Sequence, residues 1–147
     1  MITLRPAVAG DQDEIVAIIR AAQINPMDLK WQNFVVAVDS GLNRIAATGQ
    51  IKTHGDHSRE LASIAVAPEY RQQGLARRVI EHLLAENSGT LFLTCRSSLG
   101  PLYEKFSFRA INENEMTPYF RRLKKIAGTF MLLAHTSDSL LVMRRDG

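Results

Sequence analysis

Cysteine, tryptophan and long apolar runs are scarce in this sequence, and each scarcity excludes something. One cysteine, Cys95, stands among 147 residues, so an internal disulfide and a multi-cysteine zinc site are both ruled out. The four histidines have no spacing that suggests a metal site. The longest apolar stretches, such as Phe130 to Ala134, fall far short of the roughly 20 residues that cross a bilayer. The start, Met1-Ile2-Thr3-Leu4-Arg5-Pro6, lacks the basic segment, apolar block and small-residue cleavage site of a secretory signal. These features lead to the expectation of a cytoplasmic protein with no metal and no membrane partner. Neither an internal repeat nor a low-complexity linker is visible.

What is present is ordinary in amount: 46% apolar and 22% charged residues in 16.4 kDa, the composition of a chain that buries a core. The size suits a single domain over residues 1–147. The net charge of +3 is unevenly placed. Residues 1–70 hold six Lys/Arg against eight Asp/Glu, and residues 71–147 hold twelve against seven. An anionic ligand is therefore expected to meet the second half.

Local patterns give an order of elements. Ile2 to Arg5 reads as a strand stopped by Pro6. Asp11 and Glu14 have capping-box spacing ahead of Ile15, Ile18, Ile19 and Ala22, a helical stripe. Met27 to Trp31 would add one turn. Phe34–Val38 and Arg44–Lys52 form a hairpin pattern around Ser40-Gly41-Leu42-Asn43, and Glu60–Val66 is a further strand. Residues 75–86 carry Leu75, Ala76, Val79, Ile80, Leu83 and Leu84 on one helical face. A strand at Leu91–Cys95, a short helix at Pro101–Phe106 and a strand at Phe108–Ile111 follow. Thr117-Pro118 would cap a long helix, and Leu140–Met143 is a last strand. The class is mixed α/β, antiparallel in its first half, with a strand–helix–strand unit near 60–95.

The chemically informative stretch is Ile64-Ala65-Val66-Ala67-Pro68-Glu69-Tyr70-Arg71-Gln72-Gln73-Gly74-Leu75-Ala76. A strand runs into a loop holding Arg and Gly that opens directly into an amphipathic helix. A helix N-terminus presents unpaired N–H groups and the positive end of a dipole, and small residues at 74 and 76 admit a phosphate to the backbone. Arg71, Arg77 and Arg78 add complementary charge. By spacing alone, a phosphate site and a turn that merely redirects the chain both remain open.

Here the sequence resembles a known family. Arg71-x-x-Gly74-x-Ala76, after a strand ending in Val-x-Pro, is similar to the Gln/Arg-x-x-Gly-x-Gly/Ala motif of the GNAT superfamily of acyl-CoA-dependent N-acetyltransferases. Leu102-Tyr103-Glu104-Lys105-Phe106-Ser107-Phe108 resembles the family's Leu-Tyr-Glu-Lys-x-Gly-Phe. The resemblance covers residues 2–111 in element order and extends to the last strand. It implies a GNAT fold, with a central mixed, largely antiparallel sheet of six to seven strands flanked by helices. It also implies acetyl-CoA as cosubstrate. The pyrophosphate would lie on backbone amides from Gln72 through Gln73, Gly74 and Leu75 to Ala76, with Arg71, Arg77 or Arg78 on phosphates. The pantetheine arm would follow Ile64, Ala65 and Val66 beside the strand at 91–95.

Acyl transfer to an amine needs a neutral amine, donors for the developing oxyanion and a proton for the departing thiolate. Tyr103 stands where the family often has the tyrosine that protonates the sulfur; the alternative is a tyrosine that only packs. Glu60, fourteen residues before Gly74, matches the position of the base in the histone-acetyltransferase branch; the alternative is a solvated carboxylate beside Arg59. N–H groups near Ala65 and Val66 would meet the oxyanion. His54 and His57 are alternative bases, or simple loop residues.

Three departures from the family pattern stand out. Arg96 replaces an asparagine, with Ser97 or Ser98 left to restore the polar contact. Ser107 replaces the glycine before Phe108. The segment from Asn112 through the helix at Pro118 is longer than usual, and an acceptor pocket or a homodimer contact would be specialised there. In that helix Tyr119, Phe120, Leu123, Ile126, Ala127 and Phe130 make an apolar face, and Arg121, Arg122, Lys124 and Lys125 a basic one, expected to be solvated. The expected acceptor is a small-molecule amine, with no nucleic acid. The competing reading is a non-catalytic GNAT-fold module that binds coenzyme A, or nucleic acid through the basic helix.

Overall fold

The computed structural model describes residues 1–134 and 139–147, the side chains of 128–134 excepted. Along the chain lie β1 (Ile2–Pro6), α1 (Gln12–Ala21), β2 (Phe34–Asp39), β3 (Arg44–Thr53), β4 (Arg59–Val66), α2 (Leu75–Glu86), β5 (Leu91–Arg96), α3 (Gly100–Glu104), β6 (Arg109–Ala110), α4 (Pro118–Ala134) and β7 (Leu140–Arg145). The strands form one mixed sheet in the order β1-β2-β3-β4-β5-β7-β6. β4 and β5 run parallel and pair at Glu60 and Phe92, whereas β1–β2, β2–β3, β5–β7 and β6–β7 are antiparallel. This is the expected mixed, largely antiparallel sheet with flanking helices.

The chain folds as two compact units, one of residues 1–52 and 61–88, the other of residues 53–60 and 89–147. In the first, Ile15 and Ile19 of α1 pack on Phe34, Val36, Val38, Ile45 and Ala65. Each fully buried isoleucine contributes about 1.5–3 kcal/mol. On β3, Gly49 lies against α2, where a Cβ would stand 2.5 Å from the Val79 side chain and 2.9 Å from that of Leu83. Only glycine permits so close an approach, so Gly49 fixes how α2 seats on the sheet.

α1 does not use the capping box that the Asp11–Glu14 spacing predicts. The Asp11 carboxylate instead accepts the Val8 N–H at 2.8 Å and the Arg5 guanidinium at 2.7 Å. Glu14 is drawn away by the Ile45 N–H, which donates to its carboxylate at 2.7 Å. A carboxylate is better used on a buried strand amide with no other acceptor than on an exposed helix start. The turn expected at Met27–Trp31 forms later, as a short 3-10 segment at Trp31–Asn33. β1 extends through Pro6, tolerated because β1 is an edge strand.

In the second unit Phe92, Met116, Phe120 and Val142 make the core, with Ile111, Tyr119 and Leu123 against it. Ile126, expected on this face of α4, is 67% exposed, and Phe130 lies outside the described side chains. β6 is shorter than expected because Phe108 is buried in packing and leaves only Arg109 and Ala110 paired with β7. α3 ends by folding back on itself. The Phe108 N–H donates to the Tyr103 carbonyl at 3.3 Å and the Ser107 N–H to that of Glu104 at 3.1 Å, the two bonds of a Schellman motif. Ser107 takes the left-handed φ of +70°, a conformation that favours glycine, at a cost of about 1–2 kcal/mol in backbone strain.

Candidate active site

The strand-to-helix turn is held from below. Tyr70, which is buried, donates its hydroxyl to Asp39 at 2.6 Å, and the exposed Arg44–Glu69 pair at 3.3 Å adds a second tie. Beyond Tyr70 the backbone turns through Gln72 at φ +64° and Gly74 at φ +74°. A Cβ at Gly74 would meet nothing within 4 Å, so its glycine serves the left-handed conformation rather than close packing. Left-handed residues so closely spaced suit a turn whose N–H groups converge on an anion, as in a nest. The helical ladder of α2 starts with the Arg78 N–H on the Gly74 carbonyl at 3.1 Å. The N–H groups of Leu75, Ala76 and Arg77 therefore have no acceptor within the helix, and no side chain among the described residues caps them.

The arginines around this turn differ in availability. Arg71 is exposed. Arg77 pairs with Glu81 at 2.7 Å on the solvent side, and Arg78 donates to the Ile2 carbonyl at 3.2 Å. In this structure the turn's positive character therefore comes from its amides and Arg71 more than from Arg77. Of the strand residues that lead to the turn, Ala65 is buried in the core beside α1, while Ile64 and Val66 are half-buried.

In the other unit, Glu60 is buried and meets His54, whose Nε2 stands 2.7 Å from Glu60 Oε1. An ionised carboxylate can only accept, so His54 carries its proton on Nε2 in that pair. The imidazole is stacked on Tyr119 with ring centres 3.5 Å apart and meets the edge of Phe120 at 5.7 Å. Glu60 and His54, two separate alternatives in the sequence, are one hydrogen-bonded pair. His57 lies exposed in the turn at φ +71°.

Asp56, from the same turn, accepts the Tyr119 N–H at 2.9 Å and both the N–H and hydroxyl of Ser58. This is the acceptor that closes the start of α4, a role expected of Thr117. Burial works against the Asp56 charge, but the Ser58 and Tyr119 hydrogen bonds outweigh it and hold its pKa well below the usual carboxylate range.

Tyr103 lies on α3 with its ring edge-on to Phe108 at 6.4 Å. Burial, helped by the Cys95 thiol, raises its pKa to about 12. The phenol is thus protonated at neutral pH and competent to donate. No hydrogen bond joins it to Glu60 among the described residues.

The departures find partners of their own. Arg96 is exposed, and the Ser97 hydroxyl accepts the Ser139 N–H at 3.2 Å, tying down the start of β7. On α4, Arg121 donates to the Glu113 carbonyl at 3.0 Å and Lys124 to that of Leu140. Part of the basic face is thus structural rather than merely solvated.

Sequence patterning missed a buried polar row on β3. Thr48, Gln50 and Lys52 alternate with Gly49 and Ile51, a rhythm that ordinarily marks a solvent face. Register places Thr48 opposite Val36 and Gln50 opposite Phe34, so the row belongs to the buried face. Thr48 donates to the Ser63 carbonyl at 2.9 Å and Gln50 to the Ser63 hydroxyl at 2.8 Å. Ser63 itself has φ +60°, breaking the alternation of β4 just before Ile64. Among the described residues no group of three or more His, Cys, Asp or Glu could hold a metal, and no helix is long and apolar enough to cross a membrane.

Comparison with known proteins bears on this geometry. The fold matches the structure of N-acetylglutamate synthase from Neisseria gonorrhoeae complexed with coenzyme A and N-acetyl-glutamate, at TM-score 0.76 and 18% identity over 99% of this chain. It covers only 35% of that chain, about a third of the synthase's length. It also matches the ribosomal-protein-S18-alanine N-acetyltransferase from Escherichia coli, at TM-score 0.70 and 22% identity over 99% of this chain and 94% of that one. A GNAT-family acetyltransferase from Staphylococcus aureus gives TM-score 0.73 and 15% identity over 99% of both chains. No curated protein matches in sequence. The family model described as acetyltransferase (GNAT) domain matches residues 30–110, more than half of the chain. That segment runs from β2 through the turn before α2 to Tyr103 and Ser107, and the chain belongs to the GNAT acetyltransferase family.

Proposed function

We propose that the chain, working as one domain over residues 1–147, moves the acetyl group of acetyl-CoA to a primary amine of a small acceptor, by direct attack in a ternary complex. The observation that carries this reading is the start of α2, which no side chain among the described residues caps and which left-handed Gln72 and Gly74 lead into. Residues Arg71 to Arg77 would hold the pyrophosphate there, and the edge of β4 at Ile64–Val66 would bind the pantetheine arm. The coenzyme A bound in the Neisseria synthase structure supports the same reading. A cytoplasmic setting suits the lone, buried Cys95.

Each remaining requirement has a candidate group. Glu60, held by His54, takes the proton that the attacking amine must lose. N–H groups at Ala65 and Val66 stabilise the charge that develops on the carbonyl oxygen. Tyr103 gives its phenolic proton to the departing sulfur, and burial keeps that proton in place until the thiolate forms. Bonds balance: the N–C bond forms, the C–S bond breaks, and one proton moves to each of the carboxylate–imidazole pair and the thiolate.

Calorimetric titration with acetyl-CoA tests the reading, and absence of binding at high micromolar cosubstrate overturns it. Tyr103→Phe is expected to lower turnover on the order of 100-fold while leaving acetyl-CoA affinity unchanged; unaltered turnover removes Tyr103 from the reaction. Binding without turnover over a broad amine panel would instead mark a coenzyme A-binding module.

A further inference from the structure

Two buried polar groups in the first unit have demands that the described residues do not meet. Lys52 is 5% exposed, and its Nζ donates to the Met27 carbonyl at 3.0 Å. It makes no ion pair among the described residues. An ammonium has three donors, and a buried charge held by one neutral acceptor is expensive unless something anionic completes it. Two residues away on the same face, Gln50 is fully buried. Its Nε2 donates to the Asp28 carbonyl at 3.3 Å and to Ser63 Oγ, while its Oε1 has no partner among the described residues. The orientation of the amide is set by the Asp28 carbonyl, which only accepts. An orphaned buried acceptor has lost its water without a replacement, so it favours any ligand that brings a donor.

The two side chains hang from adjacent carbonyls in the loop between α1 and β2, Lys52 from that of Met27 and Gln50 from that of Asp28. Asp28 takes a left-handed φ of +56°, so this loop is bent into a shape that turns its carbonyls onto β3. On the other side, Ser63 joins Gln50 to the break in β4 that directly precedes Ile64. Lys52 thus offers unmet donors and positive charge, and Gln50 an unmet acceptor, on one buried face of β3 that Ser63 links to the strand assigned to the pantetheine arm.

We propose that Lys52 and Gln50 form the acceptor subsite, and that the acceptor is an amino-acid-like molecule whose carboxylate sits on the Lys52 ammonium while an N–H or O–H donates to Gln50 Oε1. The inference rests on the acetyl-transfer reading and names its substrate class. A buried ammonium next to a lone amide oxygen selects a group carrying negative charge and a donor close together; a simple alkylamine meets neither need. A carboxylate satisfies the charge directly, and the low local dielectric makes the pairing discriminating.

The test compares acceptors in matched pairs: amino acids against the corresponding amino-acid amides and decarboxylated amines, with acetyl-CoA titrated separately as the fold control. The expected result is that wild type uses the carboxylated member of a pair with at least about 100-fold higher kcat/KM. Lys52→Met is expected to erase that ratio without changing acetyl-CoA affinity, and Lys52→Gln to lower it. Methionine relieves an unpaired buried charge, so the variant is expected to fold at least as stably as wild type. An unchanged ratio in Lys52→Met overturns the proposal, as does a wild-type preference for uncharged amines. So does failure of every carboxylated probe to react, or to bind by calorimetry, while acetyl-CoA binds; the two groups are then bridged by resident water. Failure to bind acetyl-CoA instead strikes the acetyl-transfer reading on which the subsite rests.

Discussion

The starts of α2 and α4 are chemically alike and are treated in opposite ways. Each begins a long amphipathic helix with several backbone amides that have no intrahelical partner. At α4, Asp56 reaches in from the turn after β3 and accepts the Tyr119 N–H. At α2 no side chain among the described residues does so, and the preceding backbone instead turns left-handed at Gln72 and Gly74. A helix start closed by a carboxylate is a structural joint. One left open, with its loop braced by Tyr70 on Asp39, leaves amides available to an anion brought from outside, the role proposed for it above. Cationic residues follow both starts, yet charge alone does not distinguish them: at α4, Arg121 and Lys124 are committed to backbone carbonyls.

Closing the open start is expected to have the largest effect. Gly74→Asp places a carboxylate at the N-cap of α2, in a residue type that tolerates the left-handed conformation. It is expected to weaken acetyl-CoA binding by more than about 100-fold, through occupied amides and repulsion of phosphate, with the fold preserved by circular dichroism. Wild-type affinity in this variant would end the comparison, since the amides would then have no role in binding.

Opening the closed start comes next. Asp56→Ala is expected to remove about 1–2 kcal/mol of stability, read from the urea midpoint at neutral pH. The pH dependence has a definite sign. The folded pKa of Asp56 lies below its ordinary value of 3.8, so its contribution is present above that value and is lost as pH falls through the folded pKa. Wild type should therefore lose stability on acidification more steeply than Asp56→Ala, and parallel acid limbs would show that the carboxylate does not hold the helix.

The smallest expected effect is at a helix end rather than a start. α3 closes through the Schellman bonds around Ser107, which holds φ +70° without being glycine. Ser107→Gly should relieve strain and raise stability by about 1 kcal/mol, visible as a rise of a few degrees in Tm. A loss of stability would mean that the serine hydroxyl does more than the strain costs.

α2 spans the residues that the apolar spacing of 75–86 predicts, because a 3.6-residue rhythm is a local property and the helix packs the face its own sequence presents. The loop before it was legible in part: Arg71-x-x-Gly74-x-Ala76 marked its place and its small residues, whereas the left-handed turns at Gln72 and Gly74 came only with the structure. Asp11 and Glu14 were not legible in the same way. Their capping-box spacing is real, but Arg5, Val8 and Ile45 offer stronger use for the two carboxylates. Lys52 and Gln50 were hidden for a related reason, since alternating polar residues on a strand look solvated until the neighbouring strand and the loop at Met27–Asp28 cover them.

The sequence by itself determined the order of the principal elements, the buried face of α2 and the family motifs, all of which depend on residues within a turn or two of one another. Tertiary structure alone decided which carboxylate caps α4, which histidine meets Glu60, and which cation is left buried without a counter-charge. Those pairings join residues 63, 6 and 25 positions apart. A hydrogen bond is set by who arrives within 3 Å and by what water can no longer reach, and neither is written in local periodicity.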